Sequence, residues 1–183
     1  MVRLFVSMDV ENENIGRRIL EVQRRMVETR ADLKLVDPKI LHLTLFFIGE
    51  VPESMVSTVC ETLSEVEGSP VEIELRGLGA FPTVSQPRVV FVKIGKGAEE
   101  LVERAQQTSK ALSKIGFRMN EQFSPHLTIA RVRSRLNADK LAFFIRSNGD
   151  ILVGEALSSR LRLKKSTLTP QGPVYETLWE KID

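Results

Sequence analysis

Two short stretches of this chain are nearly identical: residues 42–45 read HLTL, and residues 126–129 read HLTI. They begin 84 positions apart, and their first residues, His42 and His126, are the two histidines of a 183-residue chain. Leu-Thr follows a given histidine by chance on the order of once in a few hundred cases, given ordinary residue usage. The pair of stretches therefore indicates an internal duplication.

The segments around the two stretches repeat in the same order. In the first half, the patterns predict a strand at RLFVSMDV, an amphipathic helix at 12–29, the HLTL strand, a helix at 53–66 and an alternating strand, VEIELRGLGAF. In the second half they predict a strand at PRVVFVKI, a helix around 101–112, the HLTI strand, a helix at 137–147 and the alternating ALSSRLRLKKSTL. Between the halves, GLGAFP is interpreted as a turn.

This repeated order predicts an α+β fold with two pseudo-symmetric lobes that flank a central cleft. Each lobe is expected to be a mainly antiparallel sheet with helices on one face. No linker rich in Pro, Gly or Ser separates the halves, so we expect a single domain over residues 1–183, with an internal repeat of about 1–84 and 85–183. A pseudo-two-fold relation would place the two HLT strands opposite each other.

Composition narrows the class of protein. Lys plus Arg number 26 against 24 Asp plus Glu, and a net charge of +2 does not by itself indicate nucleic-acid binding. The single cysteine, Cys60, excludes an intrachain disulfide. The opening MVRLFVSMDVENE lacks the pattern of a secretory signal, and no stretch approaches the roughly 20 apolar residues of a membrane span. We expect a cytoplasmic protein that does not bind a membrane.

The repeated stretches suit acid–base chemistry. In a strand, residues i and i+2 point the same way, so His42 lies beside Thr44 and His126 beside Thr128. Two imidazoles have an ordinary pKa near 6.5, which lets one remove a proton while the other donates one at neutral pH. The hydroxyls can donate hydrogen bonds to an anion between them. The set predicts in-line cleavage of a phosphodiester without a metal ion.

Two other interpretations use the same residues. The histidines could be packed strand residues of a duplicated scaffold, although matched threonines beside both of them favour chemistry. A zinc site is disfavoured, because two histidines without cysteine or carboxylate at ligand spacing make a poor ligand set. The nucleotide-binding patterns GxxxxGK[ST] and GxGxxG are not found, so no cofactor is expected.

With both motifs in view, the chain resembles the 2H phosphoesterase superfamily, and within it the RNA 2′,3′-cyclic phosphodiesterases, also called 2′–5′ RNA ligases. The segments that carry the resemblance are RLFVSMD, LHLTLFFIGEV, GLGAFPTVSQPRVVFVKI, FSPHLTIARVR and STLTPQGPVYETL. The resemblance implies an enzyme that opens RNA 2′,3′-cyclic phosphate ends to 2′-phosphates. It implies His42 as proton donor and His126 as proton acceptor, with Thr44 and Thr128 holding the phosphate. The duplication alone does not distinguish the two histidines.

The same resemblance implies that Arg131 binds the phosphate. Strict alternation puts Arg131 on the strand face opposite His126, so a bulge or the strand's end near Ala130 has to turn it inward. The competing interpretation is a solvated stripe of arginines. The basic residues that could instead form a cleft rim for RNA, or a charged outer sheet face, are Arg131, Arg133, Arg135, Arg160, Arg162, Lys164 and Lys165.

Three functional alternatives stay open beside hydrolysis. In the reverse direction, a 5′-hydroxyl end would attack the cyclic phosphate and make a 2′–5′ RNA bond. A binding module would hold the RNA end without turnover. A third version keeps the chemistry but acts on a small nucleotide cyclic phosphate. The prediction is a monomeric hydrolase whose partner is RNA with a 2′,3′-cyclic phosphate terminus.

Overall fold

The computed structural model describes residues 1–119 and 122–182, so residue 183 of the predicted domain lies outside it. In this part of the chain the helices are α1 (Glu13–Val27), α2 (Val56–Ser64), α3 (Ala98–Ser113) and α4 (Ala138–Ser147). The strands are β1 (Val2–Asp9), β2 (Leu33–Leu35), β3 (His42–Val51), β4 (Val71–Pro82), β5 (Pro87–Ile94), β6 (His126–Val132), β7 (Leu152–Ser158), β8 (Arg160–Thr169) and β9 (Gly172–Ile182). None of these helices is both long and apolar enough to cross a membrane.

The strands form two antiparallel sheets, which confirms the predicted α+β fold with two lobes. The first sheet has the order β3-β1-β8-β9 and the second the order β2-β6-β5-β4-β7. In each sheet an HLT strand pairs with a central strand, β1 or β5, whose other neighbour is β8 or β4. The HLT strands β3 and β6 pack against each other where the two sheets meet. The order of strands thus repeats across the cleft.

The two sheets do not coincide with the two halves of the sequence. Strands β2 and β4 precede the predicted boundary near residue 84 but join the second sheet, whereas β8 and β9 join the first. Helix α1 follows β1 yet packs on β6 and β7, and α3 follows β5 yet packs on β3. The buried apolar side chains form one cluster that draws on both sheets. The division into repeats of 1–84 and 85–183 stays a prediction.

Most predicted elements lie within a few residues of the observed ones, but two predictions were wrong. GLGAFP is not a turn, because β4 runs through it to Pro82; its register shifts near Gly77, which has a φ of 82°. The stretch ALSSRLRLKKSTL is not one strand, since β7 ends at Ser158 in the second sheet and β8 begins at Arg160 in the first. Strands β2 and β9 were not predicted.

A one-residue bulge interrupts both HLT strands at the same place. Along β3, Thr44 and Phe46 pair with consecutive residues of β1, which leaves Leu45 extra. Along β6, Thr128 and Ala130 pair with consecutive residues of β5, which leaves residue 129 extra. Each bulge reverses the alternation of side chains beyond it.

The bulge in β6 is held by its neighbours. The carbonyl oxygen of Ile129 accepts hydrogen bonds from the backbone N–H of Val36 and from Nε2 of Gln23, both at 3.0 Å. Gln23 lies on α1, is 2% exposed and also donates to the carbonyl oxygen of Val36 at 2.7 Å. A buried amide thus ties α1 to the irregular point of the second HLT strand.

Replacing Gln23 with Leu should lower the free energy of unfolding by about 1–3 kcal/mol, because the change removes the donor shared by two carbonyl groups. Urea denaturation of the purified proteins measures the difference. Gln107→Leu, on the exposed side of α3, is the matched control and should change stability by no more than about 0.5 kcal/mol. Equal stability of the two variants would contradict an anchoring role for Gln23.

Candidate active site

The two histidines open equivalent strands and face the cleft between the sheets. His42 is the first residue of β3 and His126 the first of β6, and both side chains are half-buried, as are Thr44 and Thr128. The aliphatic residues that alternate with them are almost completely buried: Leu43, Leu45, Leu127 and Ile129. The structure therefore places the four predicted catalytic residues on one side of their strands.

Both imidazoles are oriented by the same hydrogen bond. Nδ1 of His42 lies 2.9 Å from the carbonyl oxygen of Ile40, and Nδ1 of His126 lies 2.7 Å from the carbonyl oxygen of Ser124. A carbonyl oxygen only accepts, so each Nδ1 carries the hydrogen. Each Nε2 is left for proton transfer, with its lone pair available when the ring is neutral.

Arg131 lies on the cleft side of β6 because of the bulge at Ile129. The bulge supplies the irregularity near Ala130 that a cleft-facing Arg131 needs. The Arg131 guanidinium lowers the pKa of both His42 and His126, and its field also reaches Tyr175 on β9. Three side chains from two lobes are thus within electrostatic reach of one cation.

The pKa of both histidines lies below the ordinary value, chiefly because burial disfavours the charged ring. The hydrogen bonds to the carbonyl oxygens oppose this effect in both cases. Lys164 and Arg131 further lower the pKa of His42, whereas the Asp9 carboxylate raises it. For His126, the remaining influence is the repulsion from Arg131.

Aromatic rings surround each histidine, and the sequence interpretation did not include them in the site. The His42 ring centroid lies 5.0 Å from the ring centroids of both Phe5 and Tyr175. The His126 ring centroid lies 5.0 Å from that of Phe81 and 5.2 Å from that of Phe91.

The glycine after the bulge in β4 makes room for one of these rings. A Cβ built at Gly79 would lie 2.6 Å from Cε2 of Phe91, so any other residue there would displace the ring. The glycines that suggested a turn therefore serve a register shift and a close approach within a strand.

A cluster of charged residues beside His42 was also missed. Asp9 accepts hydrogen bonds from Ser7 at 3.1 Å, from Lys164 at 2.5 Å and from Arg162. Lys164 is 6% exposed. Two signals in the sequence could have revealed the cluster. Alternation puts Ser7 and Asp9 on one face of β1, and the repeat aligns Asp9 with Lys93, so that a charged residue occupies the same position in both copies.

Most cations of the proposed basic rim are paired with carboxylates. Arg133 bonds Asp32 at 2.9 Å, so it does not belong to a free stripe of arginines. The remaining ion pairs from this set are Arg160–Glu11, Arg160–Glu180, Arg162–Asp9, Arg162–Glu11, Arg162–Glu180, Lys164–Asp9 and Lys165–Glu176. A contact of this rim with RNA stays a prediction.

Comparison with known proteins agrees with the class that the fold and the paired motifs define, that of the two-histidine phosphoesterases. The family model described as LigT like Phosphoesterase matches residues 10–91 and, a second time, residues 92–175. The matched segments span most of the chain. This chain belongs to the LigT-like phosphoesterase family.

Relatives and solved structures cover nearly the full length. The RNA 2′,3′-cyclic phosphodiesterase of Aeropyrum pernix is 40% identical over 89% of this chain and 93% of its own, and that of Archaeoglobus fulgidus is 38% identical over 97% and 98%. The crystal structure of TT0787 of Thermus thermophilus has a TM-score of 0.77 at 29% identity, covering 98% of this chain and 97% of that one. Escherichia coli LigT complexed with 3′-AMP has a TM-score of 0.78 at 20% identity, covering 99% and 97%.

Replacing Arg131 with Gln should raise the pKa of both His42 and His126, because the change removes a cation that disfavours each imidazolium. A proton–carbon NMR titration measures both pKa values, because the chain has only two histidines and the alanine variant of each one assigns its ring signals. Arg133→Gln removes a paired arginine of the same segment and should leave both titrations unchanged. Identical curves for the Arg131→Gln variant and the unmodified protein would place Arg131 outside the site.

Proposed function

We propose that this protein hydrolyses RNA 2′,3′-cyclic phosphate ends to 2′-phosphomonoesters by two-histidine acid–base catalysis without a metal ion. The observation that carries the proposal is the pair of equally tethered imidazoles, each with Nε2 available, under the field of one arginine. The names of the full-length relatives support the substrate class. We also propose that the protein is cytoplasmic, monomeric and a single domain.

The proposed reaction opens the cyclic phosphate in line. A water molecule attacks phosphorus while Nε2 of His126 removes its proton. The bond from phosphorus to the 3′ oxygen breaks, and the Nε2–H of His42 donates a proton to that oxygen. The products are a 2′-phosphate and a 3′-hydroxyl. The roles of donor and acceptor are those implied by the family resemblance.

The remaining site residues would stabilise the negative charge on phosphorus. The Thr44 and Thr128 hydroxyls lie next to the histidines on the cleft side and can donate to the phosphate oxygens. The Arg131 guanidinium offers charge-assisted hydrogen bonds of the kind that phosphate favours. A phosphate anion would also offset the repulsion between Arg131 and the imidazolium ring of His42.

Two alternatives use the same residues. In 2′–5′ RNA ligation, a 5′-hydroxyl end takes the place of water, and the same two proton transfers occur. A non-catalytic module that binds RNA ends has no need of two imidazoles with available Nε2 atoms. The matched tethering of both rings therefore favours an enzyme over a binding module.

The deciding experiment incubates protein with an RNA oligonucleotide that ends in a 2′,3′-cyclic phosphate, in excess EDTA. We expect a 2′-monophosphate product, and a loss of about 10²-fold or more in rate for His42→Ala and for His126→Ala, the scale of lost acid or base catalysis. The control variant is Ser113→Ala, at the exposed end of α3, which should keep the full rate.

Three results would each revise the proposal. An unchanged cyclic end that is nevertheless bound would favour the binding module. Faster joining than hydrolysis on addition of a 5′-hydroxyl RNA would favour ligation. Rates near normal in both alanine variants would place the chemistry elsewhere in the molecule. The rate of hydrolysis of a small nucleoside 2′,3′-cyclic phosphate, measured in parallel, shows whether the enzyme prefers that substrate or an RNA end.

The pH dependence of kcat/KM should be a bell with its maximum on the acid side of about pH 6.5. The fall in rate at low pH reports protonation of His126, the fall at high pH reports loss of the proton from His42, and the pKa of each lies below the ordinary value in the free protein. The profile of kcat should lie at higher pH, because bound phosphate favours the charged rings. A kcat/KM that is flat from pH 5 to 9 would contradict the pairing.

A further inference from the structure

The two copies of the histidine motif have the same backbone but different surroundings. In the first sheet the cross-strand partner of His42 is Asp9, and in the second sheet the partner of His126 is Lys93. Cross-strand partners place their Cβ atoms about 4.5–5.5 Å apart on the same face. At the equivalent position, His42 is therefore paired with a residue that carries a negative charge and His126 with one that carries a positive charge.

The difference continues on the neighbouring strands. In the first sheet, Thr44 pairs with Ser7, which pairs on its other side with Arg162. In the second sheet, Thr128 pairs with Phe91, which pairs on its other side with Gly79. The buried charges of the first sheet thus correspond to a glycine and aromatic rings in the second. Because two aromatic rings lie beside each histidine, the charged cluster is the feature that distinguishes the surroundings of His42 from those of His126.

We propose that Asp9, the cross-strand partner of His42, is a positioning residue that favours the protonated, proton-donating form of His42. The inference rests on the proposed function and adds to it a residue that supports His42 as the proton donor. Asp9 contacts neither the substrate nor the reacting atoms in this proposal. It acts through His42.

The carboxylate of Asp9 is rigidly held and remains ionised. One oxygen accepts from Ser7, and the other from Lys164 and Arg162. Burial alone would raise the pKa of Asp9, but the hydrogen bonds and charges of Lys164 and Arg162 hold it below its ordinary value. The negative charge beside His42 is therefore present throughout the pH range in which histidine titrates.

The groups that face His42 from the other strands oppose its protonation. Lys164 on β8 and Arg131 on β6 are cations, whereas the phenol of Tyr175 on β9 is uncharged near neutral pH, and burial raises its pKa further. Among the described side chains whose charges act on His42, Asp9 is the one that favours the imidazolium. Removing it leaves His42 facing two cations.

The experiment compares Asp9→Asn with the unmodified protein by NMR titration of both histidines and by the pH profile of kcat/KM. We expect the pKa of His42 to fall while that of His126 stays the same. The rate should fall about three- to tenfold near pH 8, where the scarce protonated form of His42 reacts, and less near pH 5. Damage to the fold would instead lower the rate equally at all pH values.

The Asp9→Asn variant leaves Lys164 without this carboxylate and could fail to fold, so the same substitution is also tested in a Lys164→Met protein. Lys164→Met should raise the pKa of His42, since it removes a cation, and Asp9 keeps Arg162 as a partner. Adding Asp9→Asn to Lys164→Met should then lower that pKa again. Glu180→Gln removes a carboxylate from the far side of Arg162 and is the matched control, with no expected change in either histidine.

The outcomes separate this inference from the proposed function. Asp9→Glu keeps the charge and should restore most of the pKa of His42 and of the rate near pH 8. An unchanged His42 titration in both backgrounds would overturn the role of Asp9, even with an active unmodified protein. An inactive unmodified protein would overturn the proposed function, while the NMR comparison would still report the effect of Asp9 on His42.

Discussion

The site depends on how two strands bury their aliphatic side chains. Each HLT strand places Leu43 and Leu45, or Leu127 and Ile129, in the core, so the alternating histidine and threonine have to face the cleft. The bulge after each threonine then buries two consecutive residues and turns the next one toward the cleft. Arg131 owes its place near both histidines to that single extra residue.

The exchange of elements between the lobes makes the cleft a product of the whole fold. Long helices and edge strands cross from one half of the chain to the sheet of the other, and the buried apolar residues form one cluster. The carbonyl of Ile129, at the bulge, is bonded by Gln23 and by Val36, both from the first half of the sequence. Because each lobe needs parts of both halves, the relative position of the two histidines is set by the packing of the complete core.

The two copies of the histidine motif share their local geometry and differ in their charged surroundings. The backbone tethers of the two imidazoles are the same, with carbonyl oxygens two residues upstream in both copies. The charged neighbours differ: a buried cluster of Asp9, Lys164 and Arg162 lies beside His42, whereas aromatic rings flank both histidines. The same backbone geometry can therefore hold two imidazoles with different charged surroundings, because the protonation of an imidazole responds to nearby charge and burial while its position does not.

The sequence by itself determined the fold class, most helices and strands, the two HLT motifs and the family resemblance, because these depend on local periodicity and on repetition. The phosphate-binding role that the resemblance implies for Arg131 also predicted an irregularity near Ala130. The sequence did not reveal strands β2 and β9, the break between β7 and β8, or the pairing of Asp9 with Lys164 and Arg162, and it left GLGAFP with conflicting strand and turn predictions. Only the tertiary structure decided these, since they depend on which strands become neighbours and on contacts between residues more than 150 positions apart.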